Sequence, residues 1–485
     1  MPTAGPDLLD SLPMPNRDDR LPTLARKPQC PSSAAGCKPD WRRWPVGLSL
    51  RLAMTRSEHS GLALGLLLTL TACGGDWPQW RGPNRDAVIT DPARTLESLP
   101  KDPRVLWKID ASDGHASPVV AGGKLVYLDS QEGQETAHCV DASTGAKLWS
   151  VPVGPVVTFS NYGSGPRCTP MIAGDRVYVQ SSGGEFKCLS LSDHRTLWQV
   201  SFDKDYGVTF LGNRASESYP KDTASRRHGH NGSAAIDGDR VFVPVGSTKG
   251  ATLVAFDSRT GRELWRAGTD DTAYSSVVVG TLAGVRQAVH LTADALMGVD
   301  VSSGLILWRE PVKTTSKRHA CTPLIAGDTV TITSWTLGTA RYRIVRKGAE
   351  FNVERLWVNT ACKTIIGTPT RVGGHLYTIG PGQRTSLTCL DFETGREVWA
   401  QPGLADYASI TAVNDTLLVH NSNGELILVK ANPERYEELG RIQLCGKTWA
   451  SPAYVDGRLY IKDATHVVAV EIAPGGAAAP AATAD

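Results

Sequence analysis

Short runs of alternating apolar and polar residues, separated by glycine-containing turns, recur from about residue 103 to residue 473. A typical copy opens on small residues such as Ser117-Pro118, passes through a Gly-Asp, Asp-Gly or Gly-Gly turn, and closes on an Asp-x-x-Thr-Gly-x-x-x-Trp segment. Alternation with a period of two predicts half-buried β-strands, and the turn pairs predict tight hairpins. No helical periodicity competes here, so the pattern predicts an all-β fold.

The closing tryptophan defines the length of the repeat. The tryptophans that close successive copies, together with one that precedes the first copy, are Trp107, Trp149, Trp198, Trp265, Trp308, Trp357 and Trp399. Their spacings are 42, 49, 67, 43, 49 and 42 residues, with one insertion at 202–232. A repeat of roughly 40 residues containing four short strands is typical of a β-propeller blade. A pair of β-sandwiches, the alternative fold, does not explain this period.

The two ends of the repeat region complement each other. The last copy, at 450–473, stops before any Thr-Gly turn or tryptophan, whereas Pro103–Asp110 carries Trp107 ahead of the first full copy. We therefore predict an eight-bladed β-propeller with four-stranded blades, whose ring is closed by the N-terminal strand. Such closure removes exposed sheet edges. Each of the seven tryptophans is predicted to dock structurally between neighbouring blades.

A processing signal precedes the repeats. Residues 1–53 are predicted to be an artefactual or disordered extension, with Met54 as the start of a lipoprotein signal peptide at 54–72. The apolar stretch at 61–70 is too short to span a bilayer. The segment Leu70-Thr71-Ala72-Cys73 resembles a bacterial lipobox, so Cys73 is predicted to carry the lipid. Ordinary secretory cleavage is the alternative.

The remaining parts of the chain follow from this division. Residues 73–102 are predicted to pack on the propeller, 103–473 to form it, and 474–485 to be a disordered tail. Removal of 1–72 takes nine of the 51 Lys/Arg and six of the 49 Asp/Glu, which leaves 42 against 43. This near-neutral balance gives no argument for nucleic-acid binding, and we expect a monomer.

The cysteines are interpreted as structural. The chain has ten cysteines and no Cys-x-x-Cys or Cys-Cys pair. Two sets share repeat positions, namely Cys139, Cys188 and Cys389 in one set and Cys168 and Cys321 in the other. Shared positions favour small buried apolar side chains. The seven cysteines that follow Cys73 are odd in number, so at least one thiol is expected to be unpaired.

The residues that precede the first strand of each blade should face the mouth of the central channel. They are His115, Arg167, Arg226, Arg227, His228, His230, Tyr274, Arg318, His319, Lys363, Tyr407, Lys447 and Trp449. This cationic and aromatic set favours an anionic or aromatic ligand, or an acidic peptide, and would repel calcium. The alternative interpretation is that these residues are scattered side chains of solvent-exposed loops that bind no ligand. No metal site is predicted; the alternative is a zinc site formed by His228, His230 and His319. The insertion at 202–232 is either a binding loop or an exposed variable loop.

The closing segment resembles that of a known family. Ala255–Trp265 matches the pattern Ala-x-Asp-x-x-Thr-Gly-x-x-x-Trp fully, and Cys139–Trp149 and Cys389–Trp399 match it except at the first position. This pattern resembles the tryptophan-docking repeat of pyrroloquinoline-quinone (PQQ) propellers. The family contains quinoprotein alcohol and glucose dehydrogenases and non-enzymatic proteins such as BamB. Asp76–Asp86 also resembles an N-terminal segment of secreted PQQ-like propellers, which implies packing across the propeller.

The resemblance leaves function open. Its dehydrogenase branch implies PQQ, Ca²⁺ with acidic ligands, a carboxylate base and an adjacent Cys-Cys disulfide. The chain lacks the Cys-Cys pair and any CxxCH haem motif. We therefore expect no catalytic residue and no cofactor.

The expected function is that of a lipid-anchored, non-catalytic binding or scaffold module, similar to BamB, that holds an envelope protein or peptide. It would lie on the periplasmic face of the outer membrane or at the cell surface. The alternatives are a PQQ-dependent alcohol or sugar dehydrogenase, and a polysaccharide-binding propeller that uses Tyr274, Tyr407 and Trp449.

Overall fold

The computed structural model describes residues 75–94, 96–157, 164–208, 229–312, 319–364, 366–380 and 385–473, all within the unit that spans 69–485. These residues form eight four-stranded antiparallel sheets, one short additional strand and one short helix. The predicted eight-bladed propeller is thereby confirmed. Cys73, the signal segment and the tail at 474–485 lie outside the described residues.

Blades are numbered along the chain, and strands are given from the channel outwards. Blade one contains β3 (Val119–Ala121), β4 (Lys124–Gln131), β5 (Gln134–Asp141) and β6 (Lys147–Pro155). Blade two contains β7 (Met171–Ala173), β8 (Arg176–Gln180), β9 (Glu185–Ser190) and β10 (Thr196–Ser201), and is followed by α1 (Phe202–Tyr206). Blade three contains β11 (Ala235–Asp237), β12 (Arg240–Val243), β13 (Leu253–Asp257) and β14 (Glu263–Ala267). Blade four contains β15 (Val278–Leu282), β16 (Val285–Leu291), β17 (Ala295–Asp300) and β18 (Ile306–Pro311).

The second half follows the same plan. Blade five contains β19 (Leu324–Ala326), β20 (Thr329–Ser334), β21 (Gly338–Lys347) and β22 (Glu350–Asn359). Blade six contains β23 (Thr370–Val372), β24 (His375–Ile379), β25 (Ser386–Asp391) and β26 (Glu397–Pro402). Blade seven contains β27 (Ala408–Val413), β28 (Thr416–Asn421), β29 (Glu425–Lys430) and β30 (Glu438–Gln443), with the short β1 (Val88–Ile89) added to β27. Blade eight contains β31 (Ala453–Val455), β32 (Arg458–Lys462), β33 (His466–Glu471) and, as its outer strand, β2 (Arg104–Asp110).

The N-terminal strand closes the ring, as predicted. Strand β2 pairs antiparallel with β33, and Trp107 lies opposite Ala469. The buried ammonium of Lys462 adds a second link, because it donates hydrogen bonds to the carbonyls of Ser112 (2.8 Å) and Gly114 (3.0 Å) ahead of blade one. Burial lowers the pKa of Lys462 to about 8.

Tryptophans on the outer strands join each blade to the next. The indole Nε1 donates to a main-chain carbonyl of the following blade in six pairs: Trp107 to Ala142, Trp149 to Leu191, Trp198 to Ser258, Trp265 to Val301, Trp357 to Phe392 and Trp399 to Asn432. These N–O distances are 3.0–3.1 Å. Each contact combines burial of a large apolar surface with a satisfied indole donor.

The Asp-x-x-Thr-Gly turns supply the surfaces on which these indoles rest. In blade three the Asp257 carboxylate accepts hydrogen bonds from the Thr260 amide and hydroxyl, both at 2.8 Å. These bonds lower the pKa of Asp257. The turn then brings Gly261, at φ +72°, directly beneath the ring of Trp198.

Two junctions depart from this scheme. Blade five lacks the turn motif, and Trp308 instead donates to the Gln287 side chain of its own blade, at 2.6 Å. In blade seven, Gly440 occupies the register position of the missing tryptophan, opposite Leu428. Leu99 from the N-terminal segment lies over Gly440 and packs into the core between blades seven and eight.

The segment 76–94, which we call the channel plug, enters the central channel. Trp77 pairs with Val120 of blade one through two main-chain hydrogen bonds of 2.8 and 2.9 Å. The Arg85 guanidinium donates to the carbonyl of Ala234 in blade three (2.8 Å). Strand β1 then pairs in parallel with β27. With further bonds to blades two, five, six and eight, the plug contacts seven of the eight blades.

The plug enters and leaves on the same side. The Asp76 carboxylate accepts from the amide of Gly122, in the turn between β3 and β4. The Ile89 carbonyl accepts from Asn414, in the equivalent turn of blade seven. We call the side that carries these turns the turn face, and the opposite side, where each first strand begins, the mouth. Among the described residues, no helix has the length and apolarity to cross a membrane.

The glycine beneath the indole is expected to be essential for blade docking. A Cβ at position 261 would lie 2.6 Å from the Trp198 ring, whereas a Cβ at Gly238 of the same blade, also at positive φ (+59°), would meet open space. Gly238→Ala is expected to cost about 1 kcal/mol from backbone strain alone. Gly261→Ala should cost about 2 kcal/mol more, because overpacking adds to that strain. Thermal unfolding of the two variants measures the difference, and equal melting temperatures would contradict the docking geometry.

Candidate functional site

The eight blades present the same residue types at the channel mouth. Immediately before or within each first strand the chain carries Ser or Thr at one shared position, namely Ser117, Thr169, Ser233, Ser276, Thr322, Thr368, Ser409 and Ser451. Seven of these eight line a cavity of about 360 Å³. The repeat thus builds a ring of hydroxyl groups.

Hydrogen bonds within this hydroxyl ring join neighbouring blades. The amide of Thr169 donates to Oγ of Ser233 (3.0 Å), and the amide of Ser233 donates to Oγ of Ser276 (3.0 Å). The same contact joins Ser451 to Ser117 across the closure, at 2.9 Å. The hydroxyls therefore fix the inner edges of the blades while they face the cavity.

The residue two positions earlier forms a second ring, nearer the opening. The eight members are His115, Arg167, Asn231, Tyr274, Ala320, Ile366, Tyr407 and Trp449, and all of them line the cavity. Blades one to three contribute the polar arc of His115, Arg167 and Asn231. Blades four to eight contribute the apolar arc of Tyr274, Ala320, Ile366, Tyr407 and Trp449. Because consecutive blades are neighbours, one side of the mouth is polar and the other is apolar.

Two further side chains extend the apolar arc. Trp335, between β20 and β21, lines the cavity and is 42% exposed, and Ile366 is 37% exposed. The ring of Trp449 stacks on His115 with 5.2 Å between centroids. Exposed large apolar side chains at a concave opening favour contact with a ligand or partner.

The channel plug forms the floor of the cavity. Trp80 and Arg81 both line it, and the Trp80 indole donates to Oγ1 of Thr322 (2.8 Å). The Arg81 guanidinium is buried and donates to the carbonyls of Pro369 and Asp86, both at 2.8 Å. The cavity is therefore closed from below by the protein's own chain.

The floor and wall carry buried positive charge. Burial lowers the pKa of Arg81 to about 10 and of Arg85 to about 9, and the charge of Arg81 lowers the latter further. Burial also lowers the pKa of Arg167 to about 10. Both plug guanidiniums donate largely to neutral carbonyls, and burial raises the pKa of the nearby Asp86 carboxyl. Buried charge of one sign favours an ion of the opposite sign.

Glu135 is a second buried carboxyl close to this wall. It is fully buried, and its carboxylate accepts from the amide of Ser182 (2.7 Å). Burial raises the pKa of Glu135 to about 7, against the opposing effects of Ser182 and of the Arg167 charge. Near neutral pH this carboxyl is therefore only partly ionised.

The sequence-predicted mouth residues divide into four groups, the last of which is His230 with His319. His115, Arg167, Tyr274, Lys363, Tyr407 and Trp449 line the cavity. Lys447 lines a smaller adjoining cavity, which it shares with His115. Arg226, Arg227, His228 and Arg318 lie outside the described residues.

His230 and His319, both predicted at the channel rim, are not among the described residues that line the cavity. Both are 1% exposed. The His230 ring packs edge-on against Phe202, and Nε2 of His319 lies 3.1 Å from the Val312 carbonyl. Neighbouring residues of an extended chain point to opposite sides, so Asn231 and Ala320 line the cavity instead.

Several lining residues escaped the sequence interpretation. Asn231, Ala320 and Ile366 share the register position of His115, and counting back from the Ser/Thr position in each blade would have found them. Trp80 and Arg81 carry no such signal, since their placement depends on the path of the plug.

The lining does not fit the calcium–PQQ pair of quinoprotein dehydrogenases. Asp406 is the one carboxylate among the described lining residues, whereas Ca²⁺ takes six to eight oxygen ligands that include acidic side chains. No cluster of three His, Cys, Asp or Glu side chains suited to a metal occurs in the described part of the chain. The seven cysteines there are free thiols, and six of them are buried.

Comparisons with known proteins agree with this architecture. The structure resembles BamB from Moraxella catarrhalis (12% identity, TM-score 0.53, covering 76% of this chain and 100% of that one). It also resembles the quinohemoprotein alcohol dehydrogenase from Comamonas testosteroni (12%, 0.56, 84% and 82%) and the computationally designed Ika8 protein (11%, 0.51, 75% and 98%). At these identities the likeness shows the fold alone.

The sequence itself identifies the family. No curated protein sequence matches the chain. A family model described as outer membrane protein assembly factor BamB matches residues 95–225 and 195–434, which together span more than half of the chain. The chain therefore belongs to the BamB family of PQQ-like repeat propellers.

Proposed function

We propose that this protein is a lipid-anchored, non-catalytic binding module of the cell envelope, whose channel mouth holds an anionic ligand with an apolar or aromatic body. The observation that supports this proposal most strongly is the lining of the mouth, in which a polar arc that includes Arg167 faces an apolar arc that ends at Trp449. A ligand with one charged end and one apolar side matches both arcs. Candidate ligands include the free carboxyl end of an envelope peptide.

The electrostatics support an anion. Among the described lining residues, Arg81, Arg167 and Lys363 carry positive charge and Asp406 alone carries a carboxylate. Burial lowers the pKa of both guanidiniums, Arg81 and Arg167, so their charged forms gain from a nearby negative charge. Hydroxyl groups of the inner ring add neutral donors for the same anion.

Family and sequence support the envelope setting. The matching family model is described as an outer membrane assembly factor, and the apolar stretch at 61–70 followed by Cys73 is typical of an exported lipoprotein. The periplasmic face of the outer membrane or the cell surface is the proposed location, and an envelope protein or peptide is the proposed partner.

The first prediction concerns catalysis. Purified protein mixed with PQQ and Ca²⁺ should reduce no redox dye with alcohols or sugars, because the described lining of the mouth offers one carboxylate where calcium needs several. A quinoprotein dehydrogenase assayed in parallel verifies the reagents. Dye reduction above the protein-free rate would make the protein an oxidoreductase and overturn the proposal.

The second prediction concerns the ligand. Calorimetric titration should show 2-naphthoate binding at least about tenfold more tightly than 2-naphthamide, because a charge-assisted hydrogen bond is stronger than a neutral one. Arg167→Gln should remove this preference. Arg195→Gln alters an exposed arginine of the same blade, outside the cavity lining, and should retain it.

Controls separate folding from binding. Arg167→Lys retains the charge and should keep part of the preference even where Arg167→Gln unfolds. Equal affinity of the two probes, or equal behaviour of Arg167→Gln and Arg195→Gln, would contradict an anion site at this mouth.

A further inference from the structure

The path of the channel plug bears on how the propeller would sit on a membrane. The plug begins at Asp76, whose carboxylate is bonded to Gly122 on the turn face (3.1 Å), and Trp77 pairs with Val120 of the innermost strand of blade one. The chain therefore enters the propeller on the turn face, close to its axis. The cavity opens on the opposite face.

Only two residues separate this entry point from the proposed lipid site. Between Cys73 and Asp76 the chain contains Gly74 and Gly75 alone. Three peptide units span at most about 11 Å between Cα atoms. A lipid on Cys73 would therefore hold the entry point within roughly that distance of the membrane surface.

This distance is short compared with the radius of a blade. Four strands at a spacing of about 4.8 Å extend roughly 14 Å from the innermost to the outermost strand, before side chains are added. A propeller standing on its rim would hold the entry point at least that far from the membrane. The chain between Cys73 and Asp76, the tether, is too short for that orientation. An orientation with the turn face against the membrane is compatible with its length.

The charges of the turn face do not favour a different orientation of the propeller on the membrane. Its hairpins carry neighbouring ion pairs of opposite sign, such as Asp175 with Arg176 and Asp239 with Arg240. Balanced pairs of this kind give little net attraction to an anionic membrane surface. The orientation then depends on the tether.

We infer that the turn face of the propeller lies against the lipid surface and that the cavity mouth points away from it into the aqueous space. This inference rests on the proposed lipid anchor at Cys73. It implies that the ligand or partner of the mouth approaches from the side away from the anchoring membrane. A partner embedded in that membrane would instead contact the turn face.

Two labelling positions on opposite faces test the orientation. Gly374, in the turn between β23 and β24, is exposed and has no positive φ, and a Cβ there would meet open space. Trp335 lies exposed at the mouth. Gly374→Cys and Trp335→Cys are prepared in a Cys445→Ser background, because Cys445 is the one described cysteine that is not buried. Each acylated chain is labelled with a donor fluorophore and bound to vesicles that carry an acceptor on a lipid headgroup.

The label at position 374 should be quenched at least about twofold more than the label at position 335, because the faces are separated by roughly the 17–20 Å length of a strand. A flexible 20-residue Gly/Ser insertion between Gly74 and Gly75 should abolish the difference. Equal quenching without the insertion, or a difference that survives it, would overturn the orientation.

Flotation separates this outcome from failure of the anchor. The acylated chain should float with vesicles, and Cys73→Ser should not. If the chain with Cys73 does not float, the proposed anchor is wrong and the orientation falls with it. If it floats and both labels are quenched equally, the orientation alone is wrong.

Discussion

Closure of the eight blades around one axis is the constraint on which the rest of the structure depends. Strand β2 completes blade eight, so every blade has four strands and two neighbouring blades. The contact between blades is largely one interaction repeated, an indole of one blade resting on a turn of the next. Since closure fixes every blade in the same register, one residue position in the repeat becomes a ring at the channel mouth.

The channel plug closes the central channel below the cavity, while the mouth stays open. It contacts seven blades and brings Trp80 and Arg81 to the base of the cavity, and Leu99, which follows the plug in the chain, packs where blade seven lacks a tryptophan. The same segment brings two buried guanidiniums into the channel. The sign of the charge beneath the mouth is therefore set by the plug, while the arcs around the mouth are set by the blades. Both features bear on the proposed ligand, and the entry point of the plug bears on the orientation.

The sequence predicted the fold well because its signals are local and repeated. Alternation, turn pairs and tryptophan spacing each recur in most blades, and the orphan Trp107 predicted the closing strand. The site was less accessible, because one residue along an extended segment changes the side to which a side chain points. His319 and Ala320 show this: the sequence pattern favours the histidine as the mouth residue, but the alanine lines the cavity. The path of Arg81 through the channel depends on contacts nearly 290 residues away, such as that with Pro369, which no local pattern reveals.

Hydrogen exchange of the plug tests the central claim most directly. If residues 76–94 fill the channel, amides such as those of Trp77 and Ala87, which donate to main-chain carbonyls, should exchange as slowly as those of strand β3. The protection should persist until the propeller itself unfolds. Exchange of these amides within seconds, while β3 remains protected, would show that the segment does not occupy the channel and would contradict the account of the cavity floor.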